Sequence, residues 1–132
     1  GNGGWDPRKR DDLNCRDGYC GYSGTPRTMP MTDIERFPQA MRPVWNNRER
    51  SEGMGPAEFL SGSAWGAWNG QLAIGLMRAQ RLDILALDAS GKAAGVVTAD
   101  LPATRWRSLV QGPDGALWGS SDDGRIQRIV PR

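Results

Sequence analysis

Six short apolar runs, separated by breaks of only a few residues, fill the second half of the chain. Apolar runs of about four to eight residues bounded by Gly, Asp, Asn or Pro are typical of β-strands in an antiparallel meander. The breaks DASGK, GPDG and DDG have the composition of tight turns. The pattern therefore predicts strands at residues 71–77, 81–88, 94–100, 105–111, 116–121 and 125–130.

One of these strands, at residues 81–88, is predicted to be buried on both sides. Side chains alternate between the two faces of a strand. Leu82, Ile84 and Ala86 would share one face, and Leu85 and Leu87 would lie on the other. Because both faces are apolar, this strand is expected inside a layered β-structure.

The strands belong to a pattern that repeats along the chain. WNGQLAIG at residues 68–75 resembles PDGALWGS at residues 113–120, and RLDILAL resembles RIQRIVP, at offsets of 45 and 44 residues. A period of about 40–50 residues, with about four strands in each unit, is typical of β-propeller blades. The predicted fold is therefore all-β, a partial β-propeller of about two blades. Complete propellers have about four to eight blades, so either further blades lie outside these residues or several copies close a ring.

The first half of the chain has a different composition. Residues 1–60 are interrupted throughout by Gly and by X-Pro pairs, which block helix interiors and favour extended backbone. We expect long loops with short strands there, and one helical turn at residues 31–41, where Thr32 and Glu35 have the spacing of a capping box. The whole of 1–132 is interpreted as one partial propeller domain, with loops in 1–60 and blades in 61–132.

Two cysteines, Cys15 and Cys20, lie close together in the loop-rich half. Two residues are too few for an ordinary structural zinc site. A disulfide across the Asp17–Gly18 turn is the favoured interpretation, and it would place the protein in an oxidising compartment. A pair of unlinked, buried thiols is the alternative.

Composition excludes several classes of function. The sequence has no histidine, so it contains no Ser-His, Cys-His or His-metal mechanism of its own. A net charge of +2 spread along the chain favours neither nucleic acid nor a membrane surface as partner, and no apolar run is long enough to span a membrane. The acidic residues near Cys15 lack the spacing of a helix-loop-helix calcium site, so no metal ligand is predicted.

Several motifs together resemble the carboxyl-terminal third of the soluble glucose/sorbosone dehydrogenase family. They are GNGGWDP at the start, MPMTD at residues 29–33, PVW at 43–45, FLSGSAWGAWNGQLAIG at 59–75 and TRWRSLVQGPDGALW at 104–118. The resemblance implies a six-bladed propeller, secreted or periplasmic, that uses pyrroloquinoline quinone (PQQ) to oxidise aldose sugars. It also implies that calcium can bind to the full-length protein, through ligands that lie mostly upstream of this chain.

The resemblance assigns a cofactor role to three arginines. Arg105 and Arg107 match an Arg-x-Arg pair that lies at the cofactor in the family, and a strand projects residues two apart to the same side. Their guanidinium groups would bind carboxylates of the quinone, while Trp106 would point away and pack. Arg78 stands where the family has a lysine, with Arg81 as the alternative; Arg105 and Arg107 as ordinary surface residues are the competing interpretation.

The sequence thus suggests part of a PQQ-dependent sugar dehydrogenase that supplies arginine contacts to the cofactor. The family's catalytic histidine lies on an earlier blade, so this chain is expected to be inactive alone. Its partners would be an aldose sugar and either the remaining blades or further copies of itself. The alternative function is a non-catalytic β-propeller binding module, which could assemble into a closed ring.

Overall fold

The computed structural model describes residues 35, 38–39, 41–45 and 52–131. By its contacts the chain divides into two units, Gly1–Pro43 and Val44–Arg132. Every strand of the described residues belongs to the second unit. Cys15, Cys20 and most of the predicted helical turn at residues 31–41 lie outside the described residues, so the disulfide and that turn stay predictions.

Seven strands form two antiparallel sheets in chain order. The first sheet has the order β1-β2-β3-β4 and the second has the order β5-β6-β7. The six predicted strands are confirmed, each within two residues at both ends. The strands are β1 (Met54–Phe59), β2 (Leu72–Leu76), β3 (Arg81–Leu87), β4 (Ala93–Thr98), β5 (Trp106–Gln111), β6 (Leu117–Ser121) and β7 (Ile126–Ile129).

Two elements are additions to the prediction. Strand β1 pairs with β2, although Gly55 and Pro56 interrupt its sequence. Its register shifts between Met54 and Ala57, and such an irregularity at a sheet edge is where proline is tolerated. A 3-10 segment, Ser63–Trp68, then connects β1 to β2 and brings Trp65 into the core.

Side-chain hydrogen bonds close the turn between β3 and β4. The Asp88 carboxylate accepts hydrogen bonds from the backbone N–H groups of Ser90 (2.8 Å) and Lys92 (3.0 Å), and from the Ser90 hydroxyl (2.7 Å). These bonds, led by the one from the hydroxyl, lower the pKa of Asp88. Gly91 adopts a φ of 76°, which glycine takes without strain. The DASGK segment is therefore the hairpin turn that its composition predicts.

Strand β3 separates two apolar clusters, which confirms that it is buried on both faces. Leu82 and Ile84 face the second sheet, and Leu85 lies in the other cluster. The inter-sheet cluster consists of Leu60, Trp65, Ala73, Leu82, Ile84, Ala99, Trp106, Leu109 and Leu117. The other cluster consists of Ile74, Leu76 and Leu85, with Trp45, Leu72, Ala79, Leu87 and Ala93 against it.

A buried acid lies among the apolar residues of β3. Asp83 accepts hydrogen bonds from Arg81 Nε (2.9 Å) and from the Thr98 hydroxyl on the neighbouring strand (2.8 Å). Arg81 also donates to Glu52 at 2.9 Å. These hydrogen bonds, first that to Asp83, raise the pKa of Arg81 above its ordinary value. A buried charge needs such partners, so the network fixes β3 against β4.

Candidate functional site

The candidate site lies at the beginning of β5, where Trp106 anchors the strand between the two sheets. A Cβ atom added to Gly75 on β2 would lie 2.6 Å from Trp106 Cβ, and one added to Gly119 on β6 would lie 2.6 Å from Cζ3 of the same indole. The two glycines thus provide the space that the indole fills. With Trp106 fixed in the core, the side chains on either side of it in sequence point outward.

A β-bulge in β5 places Arg107 at the surface while Trp106 and Leu109 both stay in the core. Trp106 lies opposite Ser121 and Ser108 lies opposite Ser120, so Arg107 is the extra residue in the ladder. Strict alternation would put Leu109 on the same side as Arg107. The bulge restores Leu109 to the inter-sheet cluster while Trp106 also stays buried.

Arg105 and Arg107 lie on the same side and share one carboxylate. Arg105 Nε donates to Asp122 Oδ2 at 2.6 Å, and Arg107 Nε donates to Asp122 Oδ1. The arginine side chains are 44% and 49% exposed and that of Asp122 is 33% exposed. Three charged groups in contact therefore leave one net positive charge at the surface of the second sheet.

The shared carboxylate stays ionised because of its neighbours. The hydrogen bond from Arg107, and after it the one from Arg105, lowers the pKa of Asp122. The same contact raises the pKa of Arg107. Nη1 of Arg107 also contacts Met77 Sδ at 2.9 Å, which connects the cluster to the end of β2. Among the described residues, Arg105 donates side-chain hydrogen bonds through Nε alone, to Asp122.

The turn that carries Asp122 is itself tightly closed. Ser121 N donates to Arg125 O, and Gly124 N donates to Ser121 O, each at 3.1 Å. Asp123 pairs with Arg125 at 2.5 Å. The hydrogen bond from Arg125, followed by that from the Ser121 hydroxyl, lowers the pKa of Asp123 to about 2. A rigid turn therefore holds Asp122 in reach of both arginines.

Beside Arg105 lies a small cavity of about 120 Å³. Pockets for whole cofactors usually enclose about 300–1,000 Å³, so this cavity has room for one carboxylate and not for a ring system. It is lined by Gln80, Ala103, Thr104, Arg105, Ser121, Asp122, Asp123 and Arg125. Its charged lining consists of two arginines and two aspartates, and Arg107 is not part of it, so further walls of a cofactor pocket would have to come from outside the described residues.

The third predicted cation, Arg78, lies in the turn after β2 and is exposed. Its backbone N–H donates to Glu52 O at 3.0 Å. It follows Met77, the residue that contacts Arg107, so its backbone is near the arginine cluster. Arg81, the alternative, is engaged by Asp83 and Glu52.

Sequence reasoning missed Asp122, the residue that joins the two arginines. Regular pairing of RWRSLVQ with ALWGSS across the GPDG turn would place Trp106 opposite Asp122. Only the bulge at Arg107 moves Trp106 opposite Ser121, and Asp122 then comes next to Arg105. Neither a pairing nor a bulge was drawn from the sequence, so the acid was treated only as part of a turn.

A second concavity, of about 660 Å³, lies over the inter-sheet cluster and is mostly apolar. Trp65, Trp68, Leu101, Ile129 and Val130 are among its walls, and Asp100 and Arg128 contribute the charges. None of the predicted cofactor residues lines it. In the described part of the chain, no three acidic or cysteine side chains gather as metal ligands. Nor do those residues include a helix long and apolar enough to cross a bilayer.

Comparisons with known proteins give the wider context. Residues 16–128 match the sequence model of a family described as Glucose / Sorbosone dehydrogenase. Two solved structures of glucose dehydrogenases are 27% and 28% identical to the chain, each with a TM-score of 0.66, and cover 74% of it. An oxidoreductase described as a glucose dehydrogenase, from Thermus thermophilus, is 25% identical over 68% of the chain, with a TM-score of 0.53. Curated protein sequences give no match.

The chain spans only part of these structures. It covers 29% of each of the first two and 27% of the third. Its two successive antiparallel sheets correspond to a short run of blades, which confirms the predicted all-β, partial propeller fold.

Proposed function

Because the chain belongs to the glucose/sorbosone dehydrogenase family, we propose that it is the carboxyl-terminal part of a PQQ-dependent sugar dehydrogenase of the aldose or glucose type. The complete protein would oxidise a sugar at C1. The chain spans 29% of the length of the glucose dehydrogenases that it matches. In this proposal its own contribution is to bind the cofactor's carboxylates.

One observation carries the proposal: Arg105 and Arg107 are held side by side by Asp122 on the surface of the second sheet. Guanidinium groups bind carboxylates through paired, charge-assisted hydrogen bonds. Because Asp122 neutralises only one of the two arginines, the cluster has positive charge left for an anionic ligand. A surface pair without this shared partner would be free to adopt many geometries.

The donor set fits the carboxylates of PQQ. The quinone, when bound, accepts the electrons that the sugar loses. Arg105 and Arg107 would bind its carboxylates, Asp122 would hold both arginines in position, and Arg78 would add a third positive charge nearby. The sequence contains no histidine, so a histidine base for the proton at C1 would have to come from other blades.

Cofactor titration of the chain and its arginine variants tests the proposal. Arg105→Ala and Arg107→Ala should each weaken binding of PQQ by about 2–3 kcal/mol, which is about 30- to 150-fold, because a charged contact is lost. The measurement is the change in absorbance or fluorescence of the quinone on binding. Arg128→Ala is the matched control: its side chain is 48% exposed, against 49% for Arg107, and it is likewise paired with an aspartate. Equal affinity of Arg107→Ala and the control would contradict the proposal.

The role of Asp122 can be tested by asking whether its replacement strengthens or weakens the binding of PQQ. Asp122→Asn removes a negative charge beside the ligand, so a purely electrostatic cluster would bind the quinone more tightly. If Asp122 instead positions Arg105 and Arg107, the variant should bind it more weakly at every salt concentration. A titration at low and high salt separates the two, since only the electrostatic gain is screened.

A second candidate is a non-catalytic propeller module that binds a small carboxylate. The cavity of about 120 Å³ beside Arg105 favours it, because that volume suits a single carboxylate group. In that case simple mono- and dicarboxylates should bind as tightly as PQQ. A preference of at least about tenfold for the quinone would favour the dehydrogenase.

We infer that the protein works in the periplasm or outside the cell. The support is the predicted disulfide between Cys15 and Cys20, since such bonds persist in oxidising compartments. Thiol labelling of the native protein, with and without prior reduction, tests it. Full labelling of both cysteines without reduction would contradict the inference.

A further inference from the structure

The turn between β2 and β3 ends at Gln80, whose backbone is unusual. Among the described residues, Gln80 is the only residue other than glycine with a positive φ, which is 55°. Residues with a Cβ atom rarely adopt this left-handed conformation, and those that do are mostly Asn, Asp or His. The turns that lead into β2, β4, β6 and β7 each reach a positive φ at a glycine; these are Gly70, Gly91, Gly115 and Gly124. The chain thus has glutamine where its other turns have glycine.

The structural role of Gln80 lies in its backbone and does not require a glutamine. Its carbonyl oxygen accepts a hydrogen bond from Thr104 N at 2.8 Å, which connects this turn to the residue before Arg105. Glycine has the same carbonyl and adopts a positive φ without strain. The Gln80 side chain is exposed, so it does not fill the core either. Strained residues of this kind cluster at ligand-binding and active sites.

Gln80 lines the cavity of about 120 Å³ beside Arg105. The turn between β6 and β7 contributes Asp122, Asp123 and Arg125 to the same cavity. Two arginines and two aspartates balance in charge, so net charge alone gives an anionic group little preference for this place. An amide donates through its NH2 group and accepts through its oxygen, and it leaves that balance unchanged. Gln80 is therefore suited to supply a directional contact in the cavity.

We propose that Gln80 binds the ligand in this cavity: its amide NH2 donates to one oxygen of a carboxylate of PQQ, and Arg105 donates to the other. This inference rests on the proposed function and adds a residue to its cofactor contacts. A carboxylate has two acceptor oxygens, and the two side chains provide a donor for each. The amide thus fixes the orientation of the carboxylate, and the strained backbone keeps the amide at the cavity.

Two substitutions separate the side chain of Gln80 from its backbone. Gln80→Ala and Gln80→Gly both remove the amide, so each should raise the dissociation constant of PQQ by about tenfold, the loss expected for one hydrogen bond to a charged group. Only glycine also relieves the positive φ, so Gln80→Gly should unfold at a higher urea concentration than Gln80→Ala. Quinone fluorescence and circular dichroism measure the two effects. Wild-type affinity in Gln80→Ala, or a loss of affinity in proportion to lost stability, would overturn the proposal.

A charged variant of the same shape tests whether the side chain reaches the ligand. Gln80→Glu should bind PQQ more weakly than Gln80→Gly at low salt, because two carboxylates would then meet, and high salt should reduce the difference. A Glu variant with wild-type affinity would overturn the proposal.

The same titrations distinguish this inference from the proposed function. If Arg107→Ala weakens binding and the Gln80 variants do not, the role of Gln80 is wrong and the dehydrogenase proposal stands. If the wild-type chain does not bind PQQ, both are wrong.

Discussion

The two sheets of the described region differ in how many of their faces are covered. The first sheet has four strands and an apolar cluster on each side of β3. The second has three strands and contributes to only the inter-sheet cluster. On its other face Val110 is 56% and Ile126 is 75% exposed. The difference teaches that the first sheet is covered on both faces of β3, whereas among the described residues the second sheet keeps one face open.

The open face of the second sheet is not uniformly polar. Val110 pairs with Trp118, and Trp118 with Arg128, across the three strands. The Arg128 guanidinium carbon lies 5.9 Å from the centre of the Trp118 ring, and Arg128 pairs with Asp114 at 2.8 Å. A cation over an aromatic ring covers part of the apolar surface. The remaining valine and isoleucine are the kind of surface that a neighbouring blade covers in a propeller.

The largest expected effect on stability comes from Trp106, which packs between the two sheets. Trp106→Ala should lower the free energy of unfolding by about 3–5 kcal/mol, because it empties the space between Gly75 and Gly119. Urea denaturation followed by circular dichroism measures the loss. Trp118→Ala, on the open face, should cost less than half as much. Equal costs would show that the open face is packed as tightly as the core.

A matched pair of aliphatic truncations sharpens the contrast between covered and open faces. Leu85→Ala on the first sheet should cost about 2–5 kcal/mol of unfolding free energy, since it creates a cavity in a buried cluster. Val110→Ala on the second sheet should change it by less than about 0.5 kcal/mol, because the side chain is exposed. The same denaturation experiment serves both. A cost above about 1 kcal/mol for Val110→Ala would indicate that this face is covered in solution.

The smallest expected effect is a loss of stability at acidic pH. It distinguishes the turn of the second sheet, which contains Asp123, from the turn of the first sheet, which contains Asp88. Asp123 has a folded pKa of about 2 and an ordinary value of 3.8, so its contribution to stability is present above about pH 4 and is lost as the pH falls towards 2. Asp123→Asn should therefore flatten the fall of Tm in that range. Because the Arg125 side chain is the main cause of the lowered pKa of Asp123, high salt should weaken the stability that Asp123 contributes.

Asp88, in the first-sheet turn, is the comparison for that experiment. Its pKa is lowered by the hydroxyl and backbone N–H groups of Ser90 and by the Lys92 backbone N–H, which carry no net charge. Its contribution is also lost as the pH falls below about 4, but salt should affect it little. Scanning calorimetry from pH 5 to about 2, at low and high salt, measures both. An equal salt response of Asp123→Asn and Asp88→Asn would contradict this distinction.

Much of the fold could be predicted from local pattern. The strands, the DASGK turn and the double burial of β3 follow from side-chain periodicity and turn chemistry, which are properties of neighbouring residues. The resemblance read from the motifs is confirmed by the family match over residues 16–128. β1 escaped individual prediction because Gly55 and Pro56 hide its pattern, and only its pairing with β2 makes it a strand.

The candidate site was predictable only in part. That Arg105 and Arg107 would lie on one side follows from their spacing, and their common contact with Asp122 agrees with it. Their role towards a cofactor stays a prediction. The cavity beside Arg105, of about 120 Å³, is smaller than a complete cofactor needs, so a cofactor role for the arginines would require walls that the described residues do not supply.

The sequence by itself determined the two meanders and the side on which the arginines lie, because each depends on residues within a few positions of one another. Its motifs, spread along the chain, identified the family. The tertiary structure decided the bulge at Arg107, the choice of Asp122 as shared partner and the open face of the second sheet. These depend on register between strands and on what packs against each sheet. Such pairings join residues far apart in the chain, and the order of residue types does not specify them alone.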